Sequence, residues 1–210
     1  MRIHFTCVIT VIICIVVSST VNATVWNESG DAGELPNTAD VVSGSGTLTQ
    51  INGTVPGPDD IDMYQILITD PNTFSATGTA GLTFGPPRMF LFNSAGYGVA
   101  GYIDSTNTGV MITDTFVSSP GIYYLAYSAG SIPGATNTGS NELWLLNPFD
   151  VERAPDGPGA TLPIAGWSPM PVPYSPIGYT ITLTGAAFVP EPGMLGLLIP
   201  ALLGVCLRRR

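Results

Sequence analysis

The feature that most restricts the fold of this chain is its rhythm. Apolar side chains recur at every second position in short runs, and glycine, proline, asparagine, aspartate and serine fill the gaps. Segments 61–69, 73–77, 89–92, 110–116, 122–127, 143–146 and 179–184 all read as strands, and 48–52 adds another. No 12-residue stretch between residues 24 and 189 has the spacing of a helix with one buried face. Strands of this kind bury one face and wet the other, so about eight to ten of them need a second sheet as cover. The expected fold is all-β: an antiparallel β-sandwich (jelly-roll-like), flanked by an N-terminal signal peptide and a C-terminal hydrophobic helix.

The two ends differ from the middle. Arg2 opens a short basic region, residues 7–17 are apolar apart from Thr10, and Val21-Asn22-Ala23 fits the small-residue pattern of a signal peptidase site. Residues 1–23 are therefore expected to be a secretory signal peptide cleaved after Ala23, with an exported domain over 24–189. At the other end, 194–207 is apolar or small throughout; as a helix it would span about 21 Å against a hydrocarbon core of ~30 Å. Gly196, Pro200 and Gly204 weaken it further. Arg208, Arg209 and Arg210 favour the cytoplasmic side, which places the domain outside the cytoplasm. Membrane association through such a tail is expected to be transient, with a permanent anchor as the alternative.

Without its ends the chain is strongly acidic. Residues 24–189 hold fourteen acids against Arg88 and Arg153 alone, a formal charge of −12, and the whole sequence lacks lysine. Such a surface repels nucleic acid and anionic lipid and suits divalent cations or neutral polymers. All three cysteines (Cys7, Cys14 and Cys206) and the single histidine, His4, lie in the targeting ends. The domain thus has no Ser-His-Asp or Cys-His arrangement, no His or Cys zinc site and no lysine nucleophile. A non-catalytic protein is expected, and a carboxylate-only glycosidase is the remaining enzyme class.

Two segments stand out as candidate sites. Asp59, Asp60 and Asp62 crowd a loop-to-strand junction, where hard oxygen ligands suit Ca²⁺; Asp104 or a backbone carbonyl would complete the shell. If Tyr64, Ile66 and Ile68 face inward, so does Asp62, which then needs a metal, Arg88 or backbone N–H groups as partner. A hydrogen-bonded turn without metal is the alternative. Residues 147–178 form a proline-rich insertion carrying Trp167 and Tyr174. These aromatics either contact carbohydrate or protein, or Trp167 packs over an open sandwich edge. Pro71-Asn72 and Pro120-Gly121 predict type II turns in two similar hairpins. Gly96-Tyr-Gly-Val-Ala-Gly101 fits a dinucleotide fingerprint, but no helix follows it, so a glycine-rich hairpin is expected.

Taken together, Asp59-Asp-Ile-Asp-Met-Tyr64, the Pro-Asn-Thr-Phe turn at 71–74, Met89-Phe-Leu-Phe-Asn-Ser-Ala-Gly-Tyr-Gly98 and Ser119-Pro-Gly-Ile-Tyr-Tyr124 resemble bacterial pre-peptidase C-terminal β-sandwich modules over roughly residues 40–130. Strand 179–184 would close that fold. The tail resembles the PEP-CTERM sorting signal through Pro190-Glu191-Pro192, the apolar helix and the arginine block over 190–210. That resemblance implies an exosortase as partner, with the tripeptide as its recognition element. It also implies residence in the inner membrane before processing and at the cell surface or in the extracellular matrix afterwards. Extracellular polysaccharide or other envelope proteins are the implied partners there, and the implied role is structural or adhesive, with a carbohydrate- or calcium-binding module as the alternative.

Overall fold

The computed structural model describes residues 24–57, 60–80, 86–128, 134–168 and 176–191. Residues 1–23 with Ala23, the tail helix 194–207, Arg208, Arg209 and Arg210 lie outside them, as do Asp59, Tyr174 and Pro192. The described chain is all-β. Its strands are β1 (Thr24–Asn27), β2 (Asp40–Val41), β3 (Leu48–Val55), β4 (Asp62–Ile68), β5 (Ser75–Ala80), β6 (Arg88–Asn93) and β7 (Gly98–Ile103). They continue as β8 (Val110–Ile112), β9 (Gly121–Ser128), β10 (Ala135–Thr136), β11 (Gly166–Trp167), β12 (Ile177–Thr184) and β13 (Ala186–Ala187). Among the described residues no helix is long and apolar enough to cross a membrane.

Sheet one runs β1-β3-β12-β5-β8 and sheet two runs β13-β4-β9-β6-β7, with β2 also against β4. Strands β10 and β11 pair with each other. The pairings are antiparallel except β1 with β3 and β2 with β4, which are parallel, so the sheets are mixed rather than purely antiparallel as expected. Both exceptions involve entering segments joined to their partners by long connections, which parallel pairing requires.

Alternation is strict in β12: Ile177, Tyr179, Ile181 and Leu183 face the other sheet, while Gly178, Thr180, Thr182 and Thr184 face away. They meet Tyr64, Ile66, Ile68, Met89, Leu91, Leu125 and Tyr127 from sheet two in one core cluster. Strand β6 does not alternate, since Met89, Phe90, Leu91 and Phe92 are all buried. The reason is a second apolar cluster on the outer face of sheet two, where residues 134–168 fold over Phe90, Phe92, Met63 and Ala126. Trp144 is its centre, with its ring 4.9 Å from Phe90 and 5.6 Å from Phe92. A Cβ on Gly98 would lie 2.6 Å from that indole, and one on Gly101 2.8 Å from its Nε1. The glycine-rich hairpin is thus the bed of a tryptophan. Arg153 fastens the covering segment by hydrogen bonds to Asn147 O and Leu145 O and an ion pair with Asp156.

Several local expectations change. Segment 143–146 is not a strand: Leu143 and Trp144 are buried while Leu145 and Leu146 are exposed, and Leu145 N bonds to Asp156 Oδ1 rather than to a ladder. Segment 110–116 is strand only as far as Ile112; Thr113 then caps a 3-10 turn, Asp114–Phe116. The two proline turns are not hairpins, because β4 and β5, like β8 and β9, belong to different sheets, so each connection carries the chain across the core. Nor does Asn72 take positive φ. Asp70 caps that turn instead, accepting from Asn72 N and from the Thr73 hydroxyl. Trp167 packs over the outer face of sheet two, 5.8 Å from Phe90, rather than over an open edge.

Candidate cation site

The acidic junction lies where β4 leaves the loop before it. Asp62 is the first residue of β4 and is fully buried on the core side, as the inward direction of Tyr64, Ile66 and Ile68 requires. Neither of the two protein partners expected for it, Arg88 or backbone N–H groups, is the one found. Its Oδ2 accepts from the Tyr179 hydroxyl at 2.6 Å, and that oxygen lies 2.6 Å from the hydroxyl of Tyr64. Since the Tyr179 proton points to Asp62, Tyr64 donates to Tyr179. Burial pushes both phenols well above their ordinary range, so they remain donors. Tyr127 stacks on Tyr179 at 4.1 Å. Gly53 makes the space: a Cβ there would overlap the Tyr179 hydroxyl and sit 2.6 Å from that of Tyr64.

Arg88 points the other way. It shares the outer face of sheet two with Phe90 and Phe92, and its charged neighbour is Glu142. Burial lowers its pKa, which the Glu142 carboxylate partly offsets. Asp104 is also absent from the site, because its oxygens accept from Thr106 N, the Thr106 hydroxyl and Gly109 N and so cap its own loop.

Asp60 joins Asp62, and the other carboxylates there come from further along the chain. Carboxylate oxygens of Asp31, Asp60 and Asp62 all lie within 4.8 Å of one another. Asp31 sits in a loop held from both sides: Ala32 is buried in the core, Ala32 O accepts from Asp40 N and Gly33 O accepts from Met63 N. Glu28 extends the parallel pairing of β1, bonding through its own N to Asn52 O and through Oε2 to Thr54 N. It borders a depression of about 210 Å³ lined by Asn27, Glu28, Asn52, Gly53 and Thr54, which opens this end to solvent. Asp59 is outside the described residues.

Burial, followed by the charges of Glu28 and Asp60, pushes the Asp62 carboxyl up to about 9 against the opposing hydrogen bond from Tyr179. Asp62 Oδ1 and Glu28 Oε1 are both buried, and the Glu28 carboxylate faces the Asp62 carboxyl closely enough to share a proton with it. A buried acceptor in this state calls for a proton or a cation. The Asp31, Asp60 and Asp62 carboxylates, with Glu28 beside Asp62, match the hard, oxygen-rich set that Ca²⁺ takes, so the residues present fit that ion. Glu28 and Asp31 escaped the sequence reading because they lie about thirty residues from the Asp60 and Asp62 they meet.

The other candidate residues fall elsewhere. Trp167 is half-buried against Phe90 and Phe92, and its Nε1 donates to Glu34 O. Tyr174 is outside the described residues. The last backbone bonds of the fold, Val189 N to Val42 O and Gly44 N to Val189 O, immediately precede Pro190 and Glu191, both exposed. No protein-family model matches the chain, and no curated protein is detectably similar to it.

Proposed function

We propose that this protein is a non-catalytic structural or adhesive β-sandwich of the bacterial envelope or extracellular matrix, exported by its signal peptide and sorted through its tail by an exosortase, and that its acidic end binds Ca²⁺. The observation carrying the calcium reading is the meeting at Asp62, a fully buried residue, of three carboxylates from Asp31, Asp60 and Asp62 within 4.8 Å of one another. The order β3-β12-β5-β8 in one sheet against β4-β9-β6-β7 in the other supports a jelly-roll-like sandwich. The sorting reading is supported by position, since Pro190 and Glu191 emerge exposed directly after the final pairing of the domain. A glycosidase gains no support from the cluster, because Asp62 is sealed from solvent and its Oδ2 is held by Tyr179.

Asp31, Asp60 and Asp62 would hold the ion, with Glu28 beside Asp62. It would neutralise the crowded carboxylates and tie the entering loop to β4, and no bond of any ligand is broken there. Calcium at about one hundred times its dissociation constant adds about 2.7 kcal/mol to stability, or roughly 5–10 °C in Tm for a domain of this size. Melting the chelator-treated secreted protein with and without millimolar Ca²⁺ tests this. Asp31→Asn should remove most of the shift and leave the calcium-free Tm near its original value. An unchanged Tm for the unsubstituted protein in Ca²⁺ would remove the metal reading. Mass spectrometry of the secreted form tests the sorting reading, which predicts a C-terminus near Pro190 and no such product when Glu191 is replaced by alanine.

A further inference from the structure

The strands of sheet one carry no charged residue, and Glu28 borders them at one end. None of the residues in β1, β3, β12, β5 and β8 is Asp, Glu, Lys or Arg, although residues 24–189 carry fourteen acids. An ordinary solvated surface is about 25–35% charged, so the outer face of these strands departs from what solubility alone would select. Its side chains are hydroxyls and amides in register. One cross-strand row reads Asn27, Asn52, Thr180, Thr79; the next reads Val25, Gln50, Thr182, Thr77, Met111; and Thr184 lies opposite Ser75. Rows of this kind repeat at about 4.8 Å between strands and about 7 Å along them.

Much of the array is set by its own hydrogen bonds. Asn52 donates to Asn27 Oδ1 and accepts from Gln50 Nε2 and the Thr180 hydroxyl, while Ser75 and Thr184 share a bond of 2.8 Å. Thr77 and Thr182, directly opposite each other in the middle and both exposed, make no side-chain hydrogen bond among the described residues. β-Branched threonines are stiff at χ1, so holding their hydroxyls in place for a ligand loses little entropy.

From these observations we infer that the outer face of sheet one is a docking surface for a neutral polysaccharide, centred on Thr77 and Thr182. This rests on the matrix reading above and deepens it. Charge selects the partner class: a polyanion is repelled by the domain at −12, a polycation would favour the acidic surface elsewhere, and a neutral hydroxyl-bearing chain meets matching donors and acceptors here. A second copy fits poorly, because stable protein interfaces need apolar or aromatic anchors, and the large apolar side chains exposed on this face are Val25 and Met111 at its margins. The contact differs from the one expected at the proline-rich segment, since it uses hydrogen-bonding rows rather than Trp167.

Depletion of the purified secreted protein by insoluble cellulose, curdlan and mannan tests the proposal, with alginate beads as the anionic comparison. The expected result is retention on at least one neutral polymer, little on alginate, and a loss of about tenfold or more in affinity for Thr77→Glu/Thr182→Glu, whose Tm falls somewhat because the two charges face each other but whose circular dichroism at the assay temperature is unchanged. Thr77→Ser/Thr182→Ser should keep most of the binding. Failure to bind all three neutral polymers, retention unaffected by the glutamates, or equal retention on alginate would overturn it. So would a glutamate-sensitive dimer in light scattering without polymer binding, which would assign the face to a second copy. Sorting plays no part in this assay, so failure here leaves the C-terminal mass result free to stand, and the reverse also holds.

Discussion

Replacing Asp62 with asparagine should stabilise the calcium-free protein at neutral pH, although it alters a fully buried residue that accepts a hydrogen bond from Tyr179. In the folded chain the carboxyl is pushed up to about 9, whereas in the unfolded chain it titrates near 3.9. The folded state therefore holds the proton more tightly. Its contribution to stability is fully present below about pH 4 and is lost progressively as pH rises toward 9. At about 1.4 kcal/mol per pH unit the loss by pH 7 is at most about 4 kcal/mol, or ~10 °C in Tm. Asparagine keeps an oxygen for Tyr179, presents an N–H₂ toward Glu28 and Asp60, and has no proton to lose. Urea denaturation of both proteins in EGTA from pH 4 to pH 8.5 measures the difference between the two stability curves, which should widen with pH in favour of the variant. Parallel curves, or a variant less stable at pH 8 than at pH 5 relative to the unsubstituted chain, would refute the placement of Asp62 as a buried carboxyl in want of a counter-charge.

Three further outcomes follow from packing. Gly53→Ala places a methyl against the Tyr64 and Tyr179 hydroxyls and should cost about 1–3 kcal/mol by overpacking, read from the urea midpoint. Trp144→Ala empties the centre of the outer cluster and should cost about 3–5 kcal/mol, with loss of near-ultraviolet dichroism from the Phe90 and Phe92 environment. Arg88→Met replaces a buried guanidinium that forms no hydrogen bond among the described residues with an apolar chain of similar length; stability should hold or rise by about 1–2 kcal/mol, and a fall of more than ~2 kcal/mol would show that the Glu142 attraction outweighs burial.

The strands that were legible in the sequence are those whose period is local. Residues 179–184 alternate because one side meets the core and the other meets water, and that contrast is written into every second residue of β12. Residues 89–92 were recognisable as a strand, but their unbroken apolar run concealed a second buried face, which depends on 134–168 folding back over them. Residues 143–146 misled for the same reason: Leu143 and Trp144 are apolar to fill that outer cluster from a loop, and loop burial has no period to read. The two proline turns were legible as turns but not in type or topology: Asp70 caps the first in place of a positive φ at Asn72, and a tight turn looks alike in sequence whether it rejoins its own sheet or crosses to the other.

The sequence by itself determined the all-β class, the inward direction of Asp62 and the lack of histidine, cysteine and lysine chemistry in the domain, because composition and strand alternation are properties of neighbouring residues. The tertiary structure alone decided that Tyr179 rather than Arg88 meets Asp62, that Asp31 and Glu28 come beside it, and that the strands gathered into sheet one are the uncharged ones. Those contacts join residues that lie from about thirty to more than one hundred positions apart. Only strand order and register, fixed by how two sheets share one core, can bring them together.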